Sequence, residues 1–230
     1  IKGNGVATLG YSTHIDTKQI KGIKVVWEDS DFVIDESVKL SGSKILFSTK
    51  KGATKGNALI GIYSDEACSE GKCIWSWHIW VTDRPRNYNY GNGYVSMDRN
   101  LGAVSTDPSD FNASVPVLSG CAYQWGRKDP FFIHEIMKHP DEYLKEGPVP
   151  VSEAHKYPRS FFKREESAYE AGGYDWTTET NDHLWGWISE RDNVVKTLYD
   201  PCPPGYRVNG NALWEFQNPE QEAPREVHYS

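Results

Sequence analysis

The sequence predicts a β-rich chain in two parts: a β-sandwich over residues 1–83 and a mixed α+β region from residue 94 onward. Three observations carry this. Short β-rich runs recur through the first 83 residues, with turn residues between them. A stretch rich in Arg, Asn, Tyr and Gly, RPRNYNYGNG at 84–93, then breaks the pattern and reads as a linker. Charge divides at the same place. Residues 1–83 hold ten basic and ten acidic side chains, whereas 84–230 hold fifteen and twenty-two, so the second part carries the whole net charge of −7.

In the first part the strand candidates are Ile23 to Trp27, Lys44 to Ser48, Ala58 to Tyr63 and Cys73 to Val81. Ser41-Gly42, Lys51-Gly52 and Lys55-Gly56-Asn57 supply the turns. The last run alternates most clearly. Trp75, Trp77, Ile79 and Val81 share one face, and Ile74, Ser76, His78 and Trp80 the other. No helical 3.6-residue pattern competes, so the expectation is an immunoglobulin-like sandwich.

The second part opens with a strand-like YVSMDRNLGA at 94–103 and a polar loop at 105–116. Residues 132–145 form a helix candidate that Pro140 breaks or restarts. Residues 146–182 are polar, aromatic and punctuated by Pro and Gly, which reads as a long functional loop.

The apolar runs are only a few residues long, far short of the ~20 a spanning helix needs, so no membrane-spanning segment is expected. The acidic balance disfavours a nucleic-acid partner. The polar opening at Ile1 implies that a targeting segment was removed or that the sequence starts inside a longer protein. Cys68 and Cys73 flank a hairpin-like SEGK stretch, a spacing that suits a small disulfide better than free thiols or a metal site with His78. Cys121 and Cys202 are candidates for a second, long-range bridge. Such bridges imply an oxidising compartment.

Catalytic signatures are weak. His134-Glu135 and His139 approach the H-E-x-x-H zinc motif, but five residues of spacing turn the second histidine about 140° away on a regular helix. No nucleophile elbow, phosphate loop or acid–base pair stands out, so no catalytic residue and no metal site is expected. Asp98, Asp129, Asp175 and Asp182 are oxygen donors that leave calcium open, though turn or cap roles suit each better. Asn112-Ala113-Ser114 fits a glycosylation sequon and is read as incidental. The nine Trp and thirteen Tyr are the strongest signal. Trp and Tyr join a large apolar face to one polar handle, which suits recognition. Tyr174, Trp176, Trp185 and Trp187 sit in or beside the long loop, with Asn181 and Asp182 among them, and form the candidate ligand-binding set.

Several strings then carry a resemblance. KGNG (2–5), KGNALIGIYS (55–64) and IWSWHIWVTD (74–83) form one set. MDRNLGA (97–103), YQWGRKDPF (123–131), NDHLWG (181–186) and KTLYDPCPPGYRV (196–208) form another. In this order they resemble Bacteroidales cell-surface proteins, including fimbrillin-type tip pilins and lipoproteins. The C-terminal part is similar to the Fibrobacter succinogenes major paralogous domain. The resemblance implies a C-type-lectin-like fold for 94–230, with NALWEF (211–216) near its conserved end. It also implies a domain that continues past this point, so either the domain is incomplete or this member is short. The chain lacks E-P-N and has only Thr180-Asn181-Asp182 in place of W-N-D, the motifs of calcium-dependent lectins.

The expected function is thus a non-catalytic adhesin or fimbrial tip-type protein at the cell surface or outer membrane. Its partners would be other surface subunits and a glycan or host protein. A structural pilus subunit without its own ligand is the alternative, and a glycan-active enzyme is weaker.

Overall fold

A computed structural model describes residues 15–29, 35–52, 55–89, 95–110, 117–131, 133–164, 175–179, 181, 183–186 and 196–208. The protein is β-rich, with small sheets. Strand β1 (Gly22–Glu28) is followed by a short hairpin of β2 (Lys39–Ser41) and β3 (Lys44–Leu46). Strands β4 (Gly56–Tyr63) and β5 (Cys73–Val81) then join β1 in an antiparallel sheet of order β1-β4-β5. β4 is central and buried at all its positions, as its GNALIGIY sequence allows. A register shift between Val25 and Trp27 places a bulge in β1.

The β4–β5 register pairs Ala58 with Ile79, Ile60 with Trp77 and Ile62 with Trp75, so these six side chains share one apolar face. The opposite face pairs Asn57 with Trp80, Leu59 with His78 and Gly61 with Ser76. Both faces receive the second part of the chain, the apolar one through Ile62 and Trp75 and the polar one through Asn57, Ser76 and His78.

The stretch expected to be a linker contains strand instead. β6 (Asn87–Asn89) and β7 (Val95–Met97) pair antiparallel. Arg99, only 6% exposed, braces this hairpin at its base. Its guanidinium donates to Asp98 Oδ1 at 2.9 Å, Thr82 Oγ1 at 3.0 Å and Asp83 Oδ2 at 3.1 Å. These bonds hold the Asp83 carboxyl down at about 2.

Beyond the hairpin, β8 (Ala122–Tyr123) pairs with β9 (Pro130–Phe131). The helix candidate splits as expected at Pro140, into α1 (Ile133–Lys138) and α2 (Pro140–Tyr143). Strand β10 (Leu144–Lys145), the one-turn α3 (Val151–Ala154) and β11 (Phe161–Phe162) follow, and β10 pairs parallel with β11.

The main core joins both parts of the chain. Ile62 and Trp75 of the sheet pack with Val151, Ala154, Phe162, Trp176, Leu184, Leu198 and Tyr199. Among the described residues, the layer on this sheet is therefore built by loops and short elements of the second part rather than by a facing sheet. The boundary expected at 84–93 does not separate two cores.

Candidate functional site

Among the described residues, a dense polar cluster lies where the loop between β8 and β9 meets β5. Gly126, at φ +78°, turns this loop in a left-handed conformation. The turn brings Arg127, Lys128 and Asp129 inward, all under 5% exposed.

Lys128 Nζ reaches three acceptors: Ser76 O at 3.1 Å, Ser76 Oγ at 2.5 Å and Asp129 Oδ1 at 2.5 Å. An ammonium has three protons, so this set saturates it. The Trp75 ring lies 4.5 Å from the same nitrogen. Ser76 Oγ donates to Asp129 Oδ1 at 2.5 Å. A serine beside a lysine is the raw material of a nucleophile and its base. Here the hydroxyl proton goes to the carboxylate and the lysine is a full donor, so neither group is activated. Ser76 is 1% exposed, which also bars a substrate. Burial pushes the Asp129 carboxyl up, but Lys128 and Arg127 outweigh it and hold the group below its ordinary value.

Arg127 is a second anchor. It donates to the carbonyls of Ser160, Ala154 at 3.1 Å and Tyr157 at 2.9 Å, and to Gln124 Oε1 at 3.3 Å. Its guanidinium lies 5.0 Å from the Phe131 ring, 5.5 Å from Phe162 and 5.9 Å from Trp176. Burial lowers its pKa to about 10, which leaves it charged at neutral pH.

A neutral relay runs beside this pair. Asn57 Nδ2 donates to Asp29 Oδ2 at 2.7 Å and Gly102 O at 2.8 Å, which leaves its Oδ1 as the acceptor for His78 Nε2 at 2.8 Å. His78 therefore carries its proton on Nε2 and accepts the Tyr123 hydroxyl at Nδ1, 3.2 Å away. Burial pushes His78 down to about 4. His155 stacks on Tyr199 at 5.0 Å and is pushed down to about 3, chiefly by burial and then by Lys128.

No family model, curated protein or solved structure matches this chain.

The sequence-predicted ligand set divides. Trp176 is 5% exposed, donates from Nε1 to Trp125 O at 2.7 Å and stacks on Phe162. It is a core residue and presents no platform. Trp185 is partly buried, with Nε1 donating to Arg127 O at 3.1 Å, so its indole braces the β8–β9 loop. Asn181 Oδ1 accepts the His183 N–H at 3.0 Å, a turn role. Tyr174, Trp187 and Asp182 lie outside the described residues.

The calcium candidates fare similarly. Asp98 is bound by Arg99 and Asp129 by Lys128, so two of the four carboxylates already face a cation. Asp175 is exposed. Among the described residues, no three His, Cys, Asp or Glu side chains gather to hold a metal ion. His134 lies in α1 while His139 precedes α2, so the two histidines do not share a helix.

Cys68, Cys73, Cys121 and Cys202 are free thiols, in place of the two expected disulfides. Cys68 and Cys73 pack in one cluster with Tyr63, and burial pushes the Cys73 thiol up to about 12. Burial also raises Cys121 and Cys202. Protonated, enclosed thiols react slowly.

Sequence reasoning missed the Ser76–Lys128–Asp129 clasp and the His78 relay. The available signal was a serine and a histidine on alternate positions of a strand otherwise built from Cys, Ile, Trp and Val.

Proposed function

We propose that the chain is a non-catalytic, extracytoplasmic surface protein of the adhesin or fimbrial-tip kind, binding a glycan or a protein through its loops and hairpins. One observation carries the non-catalytic part. The most enzyme-like constellation, Ser76 with Lys128 and Asp129, is sealed from solvent, with the three Lys128 protons and the Ser76 hydroxyl proton committed to internal hydrogen bonds. Its chemistry is that of a fastener between a sheet and the segment that carries the aromatic loops. The resemblance of the motif series supports placement at the cell surface. An aromatic, acidic chain with buried anchors and many exposed loops suits recognition by a rigid scaffold.

The test is binding of the full chain to immobilised glycans and to host matrix proteins. Selective, saturable binding to at least one of them is expected, and it should survive Ser76→Ala in a folded variant. A folded protein silent on every glycan and matrix protein overturns the reading, as would substrate turnover that Ser76→Ala abolishes.

A further inference from the structure

The β2–β3 hairpin opens a lysine-rich segment on an acidic protein. Residues 39–55 contain Lys39, Lys44, Lys50, Lys51 and Lys55 and no acid. Asp35 and Glu36 precede them, which leaves 35–55 at +3 (five minus two) on a chain of −7. The second part of the chain commits its lysines internally. All six lysines of residues 98–230 pair with a carboxylate, at 2.5 to 3.6 Å. On the hairpin, Lys39 and Lys44 are exposed and, among the described residues, meet no acid. Register fixes the side they show. Lys39 pairs with Leu46, Leu40 with Ile45 and Ser41 with Lys44. Opposite residues share a face and successive ones alternate. Lys39, Ser41, Lys44 and Leu46 therefore make one face, all of it exposed, with Leu46 at 41%. Leu40 and Ile45 make the other, and Ile45 packs against the main core. At the base of the hairpin the Ser48 N–H donates to Ser37 Oγ at 2.7 Å. The packed inner face thus holds the lysine face toward water. Lys39 and Lys44 are diagonal neighbours, about 7–8 Å apart, and repel each other unless an anion meets both.

The make-up of this face selects among anions. It holds no aromatic ring, so it offers no stacking surface to a sugar or a base. Two three-residue strands are too small for the ~800 Å² per partner of a stable protein interface. Its cations are lysines, which act as point charges and lack the planar fork that fits arginine to a single carboxylate. They suit a surface with many phosphates. Leu46, opposite Lys39, adds an aliphatic group that gains by leaving water for the headgroup boundary. Clusters of about four to eight lysines are the ordinary sequence mark of anionic-lipid contact. We propose that the Lys39–Lys44–Leu46 face docks on an anionic phospholipid surface. Lys39 and Lys44 meet headgroup phosphates, Leu46 dips between the headgroups, and exposed Lys51 adds charge from the turn that follows. The chain's net charge of −7 opposes this only through salt, which screens it over ~8 Å, whereas these lysines touch the surface. The docking lies on the membrane plane and goes beyond the adhesin reading.

The experiment is co-sedimentation of the full chain with vesicles of phosphatidylcholine and phosphatidylglycerol in equal parts, with pure phosphatidylcholine vesicles as the neutral control. Binding to the mixed vesicles alone is expected, and it should fall when NaCl rises from about 50 to about 500 mM. Lys39→Ala and Lys44→Ala should each lower the partition coefficient about fivefold, while Lys39→Arg should keep it, because charge and not donor geometry is at work. Leu46→Ser should also lower it, with the net charge unchanged. Lys138→Ala, at an exposed lysine paired with Glu135, should leave it unaltered. Unfolding midpoints of all these variants should match the wild type. No binding to the mixed vesicles, or equal binding to both kinds, overturns the proposal. So does vesicle binding that neither hairpin lysine affects. Heparin binding that depends on Lys39 and Lys44, without vesicle binding, overturns the lipid assignment and gives the face to a sulfated polysaccharide. Poly-glutamate binding with the same dependence, again without vesicles, gives it to an acidic protein. Glycan and matrix binding by the loops is a separate readout, so the adhesin reading fails or survives independently of these results.

Discussion

At the scale of single residues, Lys128 shows how strongly this fold commits to buried charge. Lys128 and Asp129 have side chains 2% exposed and 2.5 Å apart. Arg127 Nη2 lies 3.8 Å from the other carboxylate oxygen. Removing one member of such a pair strands its partner in a low-dielectric interior, at a cost of ~3–5 kcal/mol. Lys128→Met is therefore expected to lower the unfolding free energy by about that amount in urea titration. A loss under about 1 kcal/mol would mean that Asp129 is already satisfied without Lys128. The histidines give a pH signature. His78 at about 4 and His155 at about 3 sit below the ordinary 6.5 because burial disfavours their charged forms. Between those values and 6.5 the unfolded chain binds more protons than the folded one. From these two histidines, stability should fall as pH drops from 6.5 toward 4. His155→Phe preserves the stack on Tyr199 and should flatten the fall between pH 6.5 and 5, read from unfolding midpoints. An unchanged slope would remove His155 from the account. None of these partners was legible in the sequence. Asp129 lies 53 residues from Ser76, and Tyr123 lies 45 from His78, so no local spacing names either contact.

At the scale of elements, the strands of the three-stranded sheet were legible, and of the exposed hairpin only β7, which falls within the strand-like 94–103. β5 was readable because Trp75, Trp77 and Ile79 must all point one way to be buried, and that requirement writes a period of two into the sequence. The helix break at Pro140 was readable because proline cannot continue the preceding turn. β6 and β7 lack the alternation of β5, and only β7 was read as strand-like. Their residues are mostly exposed, and Asn-Tyr-Asn reads as turn composition while the backbone pairs regardless. The string YQWGRKDPF (123–131) gave no hint in sequence that its charges turn inward. Gly126 is what turns them. A Cβ there would come within 2.4 Å of Leu184 Cδ1 and 3.2 Å of Leu184 Cβ, and φ +78° is strained for any other residue. Leu184 is 2% exposed and has nowhere to move. Gly126→Ala should cost about 2 kcal/mol or more from backbone strain and overpacking. Chemical denaturation measures it, and a neutral result would show that the loop can re-form with a right-handed turn.

At the scale of the whole molecule, the charge boundary near residue 84 is real, but it describes surface rather than core. Net charge registers groups that face water, whereas the core is set by which apolar faces meet. Here Ile62 and Trp75 meet Phe162, Trp176 and Leu198 across the boundary. Polar contacts follow the same path, with Asn57 joined to Gly102, His78 to Tyr123 and Ser76 to Asp129. The sheet's polar face therefore has its hydrogen-bond partners only when the second part is docked. Taken alone, the first part would expose Asn57, Ser76 and Trp75, which are now 0%, 1% and 8% exposed. Small domains are stable by only about 5–15 kcal/mol, too little to lose that burial and remain folded. Urea unfolding is thus expected to follow one cooperative transition, with tryptophan fluorescence and far-ultraviolet circular dichroism giving the same midpoint. Residues 1–83 expressed alone should lack a cooperative transition. Two separated transitions, or a folded 1–83 fragment, would mean that the first part completes its core without the second, and that the contacts across the boundary dock two finished domains.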